Sequence, residues 1–368
     1  LTFDDASVLS AARQDPIGFI AGLNGPVVLD EVQFAPQIFP AIKAAVDRKR
    51  TPGQFLLTGS ANILLLPKLS ESLAGRMELL HLWPFSQGEL LGRADGLVDR
   101  LFDTSKGNWK LDLAGDAGPS LWERVVTGGY PEAQPRSTAR RRRSWFDSYI
   151  TTILQRDVRE LANIDGLSSL PRVLELLAGR TGGLQNFAEL SRSLSIPQTS
   201  LKRYLTLLEA TFLVRSLAPW STNLGKRLVK SPKTYLLDTG LLSSLVGLSD
   251  PEALRQTPLA GGLLENFAVM EITKQASWSE VCPKLFHYRT QTGQEVDLLL
   301  EDARGALVGL EVKASSSVNP ADFKGLQSLQ AAVGSRLLRG VVLYTGTEWI
   351  PFGQNLFAVP ISALWRAL

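Results

Sequence analysis

The chain has 368 residues, 39 Lys+Arg against 36 Asp+Glu for a net charge of +3, and 44% hydrophobic residues, enough to fill the cores of two or three domains. One cysteine and two histidines exclude a disulfide framework and a Cys/His zinc centre, which leaves hard, oxygen-ligated cations such as Mg2+. No apolar run approaches the ~18 residues of a membrane helix and no signal peptide opens the chain, so a cytoplasmic protein without a membrane partner is expected.

Residues 1–90 read as an α/β domain. "LTF", "VVLD" and "GQFLLTGS" look like short buried strands, with helical spacing between the last two. The second strand delivers two adjacent carboxylates, Asp30 and Glu31, and the third ends in the hydroxyls Thr58 and Ser60. In nucleotide hydrolases such a strand supplies a magnesium-binding Asp and a water-activating Glu. Such a site needs a phosphate-holding loop, yet G-x-x-x-x-G-K-[ST] occurs nowhere. The one Gly-Lys pair, Gly225-Lys226, is followed by Arg227 and has Trp220 where the first Gly belongs.

"LSESLAGRMELLHLWPFSQGEL" and the Gly- and Asp-rich stretch to about Ser120 read as surface loops and short helices, and residues 91–164 as a helical connector. Within it Arg140 to Arg143 are consecutive. A solvated or acid-paired helix face and a phosphate-backbone contact both stay open. Residues 165–250 read as a winged helix-turn-helix: "LPRVLELLAGRTG", then a helix capped by Asn186, the turn "SIPQTS", and a helix whose apolar stripe is Leu201, Tyr204, Leu205 and Leu208. The second helix would turn Gln198, Ser200, Lys202 and Arg203 outward, and the following hairpin carries Arg215, Lys226, Arg227, Lys230 and Lys233 in a wing-like place. DNA and a protein partner both fit such a module, and self-association stays open.

Residues 251–368 read in the order αβββαβ. Glu265 lies on the first helix, Asp297 on the second strand, and Glu311 and Lys313 on the third. Residues two apart share a strand face, so Glu311 and Lys313 are aimed together, as are Glu295 and Asp297. Such a cluster is costly in a core unless a cation or phosphate compensates. Metal-assisted phosphodiester hydrolysis is the chemistry it fits: Asp297 and Glu311 holding Mg2+, Lys313 orienting water or neutralising charge, and Glu265 completing the shell. In order, topology and D-x(13)-E-x-K spacing this region resembles the PD-(D/E)xK nuclease fold, although Val296 stands where the family name places proline.

Taken together, "VVLDEVQ", "LLTGSAN", "SESLAGRMELLHLWPFSQGEL", "TGGYPEA", "LQRDV", "KSPKTYLLDTGLL" and "EVDLLLE…LEVKAS" resemble the prokaryotic AAA+-superfamily ATPases that carry a C-terminal domain of unknown function. The resemblance implies a P-loop α/β domain that uses ATP and Mg2+. Asp30 would be the magnesium-side acid of the Walker B strand, Glu31 the catalytic base, Thr58 and Ser60 the sensor, and Arg76 the γ-phosphate or finger arginine. The family's Walker A strand and loop would precede Leu1, so "LTFDD" corresponds to its second strand. A truncated site of this kind is expected to bind ATP poorly. A magnesium-dependent nuclease with a regulatory ATPase remnant, and a non-enzymatic DNA- or protein-binding module, are the alternatives.

Overall fold

The computed structural model describes residues 1–60, 73–105, 109–116, 118–158, 167–221 and 231–367. The chain divides into two compact units, one of residues 1–81, 152–165 and 203–213, the other of residues 82–151, 166–202 and 214–368. No helix among the described residues is long and apolar enough to cross a membrane.

In the first unit α1 (Ala6–Gln14) and α2 (Pro16–Ala21) are nucleated by the carboxylates before them. Asp5 accepts from the Ser7 and Val8 amides at 2.7 and 3.2 Å, and Asp15 from the Gly18 amide at 2.9 Å, satisfying helix-end donors that otherwise lack partners. Strands β1 (Val27–Leu29) and β2 (Phe55–Leu57) pair in parallel, with α3 (Phe39–Arg48) between them in sequence. Thr2 bridges Asp30 in parallel, so the first residues extend the ladder on the other side of β1. Phe3, Ile20, Leu29, Ile38, Phe39 and Ile42 form the core under this ladder.

The second unit opens with α4 (Gln87–Leu90), α5 (Leu97–Phe102), α6 (Leu121–Thr127) and α7 (Ala139–Thr152). The expectation of surface loops before residue 120 is not met at its start, because Ser86 and Gln87 are buried. Their polar groups are satisfied internally. The Gln87 amide donates to Glu271 at 2.8 Å, Lys274 donates to Glu271 at 2.7 Å and to the Phe85 carbonyl at 3.0 Å, and Arg124 donates to the Gln87 side chain at 3.1 Å. Asp238 caps the Leu241 amide at 2.9 Å and accepts from the Gly129 amide at 2.6 Å, which ties "TGGY" to "LLDTG".

Helices α8 (Leu170–Ala178), α9 (Phe187–Leu194) and α10 (Gln198–Ala210) follow. Asn186 caps α9 through the Glu189 amide at 3.1 Å, and Ser195, in the left-handed region at φ 56°, ends it. Strands β3 (Val214–Leu217) and β4 (Lys233–Leu236) form an antiparallel pair. Lys226, Arg227 and Lys230, expected between them, lie outside the described residues.

After α11 (Thr239–Leu245) and α12 (Pro251–Gln256) comes α13 (Ala260–Trp278), which is buried along most of its length. Strands β5 (Lys284–Arg289), β6 (Glu295–Glu301) and β7 (Leu307–Lys313) run antiparallel in succession. Helix α14 (Lys324–Val333) then returns the chain to β8 (Leu337–Tyr344), parallel to β7. β9 (Ile350–Pro351) and β10 (Leu356–Pro360) complete the sheet order β5-β6-β7-β8-β10-β9 before α15 (Ala363–Arg366). Val296, Leu299, Leu326, Leu329, Val342 and Leu356 belong to the core of this layer. Residues 218–220 lie against β5: the His287 amide donates to the Ala218 carbonyl at 2.9 Å, and the Trp220 amide to the His287 carbonyl at 2.7 Å. This docking fixes the β3–β4 pair beside the sheet.

Candidate functional site

At the carboxyl ends of β1 and β2 the structure brings together Asp30, Glu31, Thr58 and Ser60. The Thr58 hydroxyl donates to Asp30, and Glu31 sits in the left-handed region at φ 56°. Gln33, which no sequence motif singles out, links the group by donating to Glu31 and, at 3.1 Å, to the Ser60 hydroxyl. Its other amide atom, Oε1, is buried without a partner. The carboxyl ends of parallel strands are where open α/β sheets receive ligands. Arg76 is committed elsewhere, forking onto Asp47 of α3 at 2.7 and 3.1 Å. The hydrogen bond to Asp47 raises the guanidinium pKa despite partial desolvation.

The second constellation lies in the C-terminal layer. Its centre is Lys233 on β4, whose side chain is 2% exposed. Its ammonium meets Glu295 at 2.6 Å, Glu265 at 2.8 Å and Asp297 at 3.0 Å. The Tyr235 hydroxyl, two residues along β4, donates to Glu265 at 2.6 Å. Asp297 uses its other oxygen to accept from the Val312 amide at 3.0 Å, placing it across the β6–β7 ladder beside Glu311. Lys313 donates to Glu311 at 2.8 Å, while the second Glu311 oxygen is buried without a partner. Gly182, at φ +73°, closes the far side: a Cβ there would stand 2.9 Å from both Glu265 oxygens, so only glycine fits.

Burial, and then the negative charge of Asp297, push Glu265 up to about 7 and Glu311 up to about 8. For Lys233 desolvation acts to lower the pKa, but attraction to Asp297, Glu265 and Glu295 outweighs it and the ammonium is held charged. Glu265, Asp297, Glu311 and Lys313 are thus gathered in one region, with a cation already among them. Mg2+ at Asp297 and Glu311, the expected arrangement, does not fit these side chains as they stand. Asp297 is divided between an ammonium and a backbone amide, and Glu311 is held by Lys313. Among the described residues no three Asp, Glu, His or Cys side chains are disposed around one metal position. The sequence pattern puts Lys233 on the outer wing, and the structure buries it instead. The available signal was its place two residues before Tyr235, on the same face of the strand "KTYL".

On α10, Gln198, Thr199, Lys202, Arg203 and Thr206 are exposed, whereas Leu201, Tyr204, Leu205 and Leu208 are buried. Lys202 lies over the Phe187 ring at 5.4 Å. Lys226 and Arg227 lie outside the described residues.

Residues 1–91 match the family described as AAA domain, residues 118–252 a domain of unknown function (DUF8612), and residues 260–364 another (DUF4143). An uncharacterized protein of Mycobacterium tuberculosis is 36% identical over 367 residues, 99% of this chain and 75% of its own length. An uncharacterized protein of Mycobacterium bovis gives the same figures. No solved structure matches the chain.

Proposed function

We propose, from the premise that this chain belongs with those mycobacterial proteins to a family of AAA-domain proteins, that it is an ATPase-class protein that acts on DNA through the exposed face of α10. The observation that carries the DNA reading is the two-faced character of α10: an apolar face buried, and Gln198, Thr199, Lys202, Arg203 and Thr206 exposed. Three helices followed by an antiparallel hairpin are the plan of a winged helix, in which the second helix of the helix-turn-helix enters the major groove. Arg140, Arg141 and Arg143, exposed at the amino end of α7 where the helix dipole disfavours cations, fit a surface kept for anions.

The first unit supplies the metal-side half of a nucleotide site. Asp30 would hold Mg2+, Glu31 would orient water, and Thr58 and Ser60 would flank the phosphates. Bound Mg2+ with nucleotide supplies charge neutralisation during phosphoryl transfer. Two carboxylates, flanking hydroxyls and the unsatisfied Gln33 Oε1 fit that donor set. Arg76 would have to leave Asp47 to act as a finger. The C-terminal domain carries the αβββαβ order of PD-(D/E)xK nucleases, and we read it as a non-cleaving member because an ammonium is lodged among its carboxylates.

Duplex affinity measured by fluorescence anisotropy should fall steeply with salt. Lys202→Ala with Arg203→Ala should reduce the log–log slope by about one for each phosphate that is no longer neutralised. Affinity indifferent to salt, or to the double substitution, would assign α10 to a protein partner instead. DNA incubated with Mg2+ or Mn2+ should stay intact with wild type and with Asp297→Ala; nicking by the wild type alone would restore the nuclease reading.

A further inference from the structure

We propose that the ammonium of Lys233 is the resident cation of the Glu265–Glu295–Asp297 site, so that this domain excludes a divalent metal by its own lysine. The geometry is that of a filled site. One ammonium, 2% exposed, lies 2.6, 2.8 and 3.0 Å from three carboxylates, donating to Glu265 and Asp297 and ion-paired with Glu295.

Its position is set by backbone on both sides. Lys233 pairs with Leu217 of β3 and bridges Leu184 on the opposite flank. The Gln185 amide donates to Pro232 at 2.8 Å and the Gly182 amide to Thr234 at 3.0 Å. A side chain rooted between two paired segments starts from a fixed backbone position. A divalent ion bound by the same oxygens would stand within a few ångströms of the ammonium, in a region with little water to screen the repulsion. The Tyr235 hydroxyl, already on Glu265 at 2.6 Å, takes a further lone pair that a metal would need.

The lysine therefore does two things a metal would do. It offsets part of the carboxylates' charge, and it ties β4 to helix α13 and strand β6. Three carboxylates thus converge on a cation that the chain supplies covalently. This inference stands apart from the DNA reading of α10.

The test is Mn2+ uptake followed by electron paramagnetic resonance on the full chain. Asp30 and Glu31 offer Mn2+ a second place, so the comparison is made between variants of the C-terminal site. Wild type and Glu295→Gln should take up the same amount of Mn2+. Lys233→Met, which keeps most of the side chain's bulk without the charge, should take up one further Mn2+ per chain, and adding Asp297→Asn should abolish that gain. Mn2+ held by wild type and lost in Glu295→Gln would overturn the proposal. So would a folded Lys233→Met with no added uptake. If circular dichroism shows Lys233→Met to be unfolded, the wild-type and Glu295→Gln pair decides alone.

Discussion

The two acidic sites of this protein solve opposite problems. Asp30 and Glu31 end a strand of which Asp30 is exposed, and their neighbours are a hydroxyl and an amide. Glu265, Asp297 and Glu311 are sunk into a packed layer, where a lysine, a tyrosine and a backbone amide hold them. Carboxylates at a wet strand end are reached by water and can wait for a cation from solution. Carboxylates inside a core cannot wait, because unpaired buried charge costs several kcal/mol, so the chain must bring the cation itself.

The largest expected effect tests that contrast directly. Lys233→Ala removes the one ammonium shared by three carboxylates and should destabilise the protein by about 3–5 kcal/mol, since the partners left behind are buried. Lys313→Ala, whose side chain is 33% exposed and serves the single carboxyl of Glu311, which burial pushes towards its neutral form, should cost less, about 1–2 kcal/mol. Urea melts of the two variants give the comparison. Equal losses would mean that Lys233 is not the keystone of the site.

A smaller effect concerns pH. Glu265 and Glu311 ordinarily titrate near 4.5 and are pushed to about 7 and about 8 in the fold. Between those limits the native state binds more protons than the unfolded chain, so stability falls as pH rises. Their contribution should be complete below about 4.5 and lost by about 8. Asp95, raised to about 7 by burial beside Ser86 and Glu271, acts in the same direction. Melting temperature should therefore drop from pH 5 to pH 8, less steeply in Glu311→Gln and less again when Asp95→Asn is added. A flat wild-type profile would show these carboxyls charged throughout and the buried site better compensated than its geometry implies.

How much of this could be read from the sequence follows from how local each signal was. β5 to β8 are legible because apolar runs are cut by "QTGQ" and "DARG", and period two puts Glu311 with Lys313. Asn186 announces α9 in the same local way. Lys233 is not legible as a site residue, because its partner Asp297 is 64 positions away and the pairing depends on residues 218–220 docking on the edge of β5. "FSQGEL" misleads for a related reason. Its polar residues read as surface, yet Gln87 is buried against a glutamate 184 positions on. A polar segment can be buried when distant groups take up its donors and acceptors, and a single sequence does not display those partners.

The smallest expected effect lies at the open site and is itself a prediction. The chain contains no G-x-x-x-x-G-K-[ST] loop to hold phosphates by backbone amides and a lysine. Asp30 and Glu31 supply only the metal-side half, and Arg76 is engaged by Asp47. This chain alone should therefore turn over ATP negligibly, and Glu31→Gln should change neither turnover nor, beyond about 0.5 kcal/mol, stability, since it removes no buried partner. Malachite-green phosphate release from wild type and Glu31→Gln, with Mg2+ and saturating ATP, reads the first, and a urea melt the second. Magnesium-dependent release abolished by Glu31→Gln would mean that the half-site binds the phosphates by some other route. A large stability loss would blur the contrast with the buried site, because Glu31 would then serve the fold, as Lys233 does.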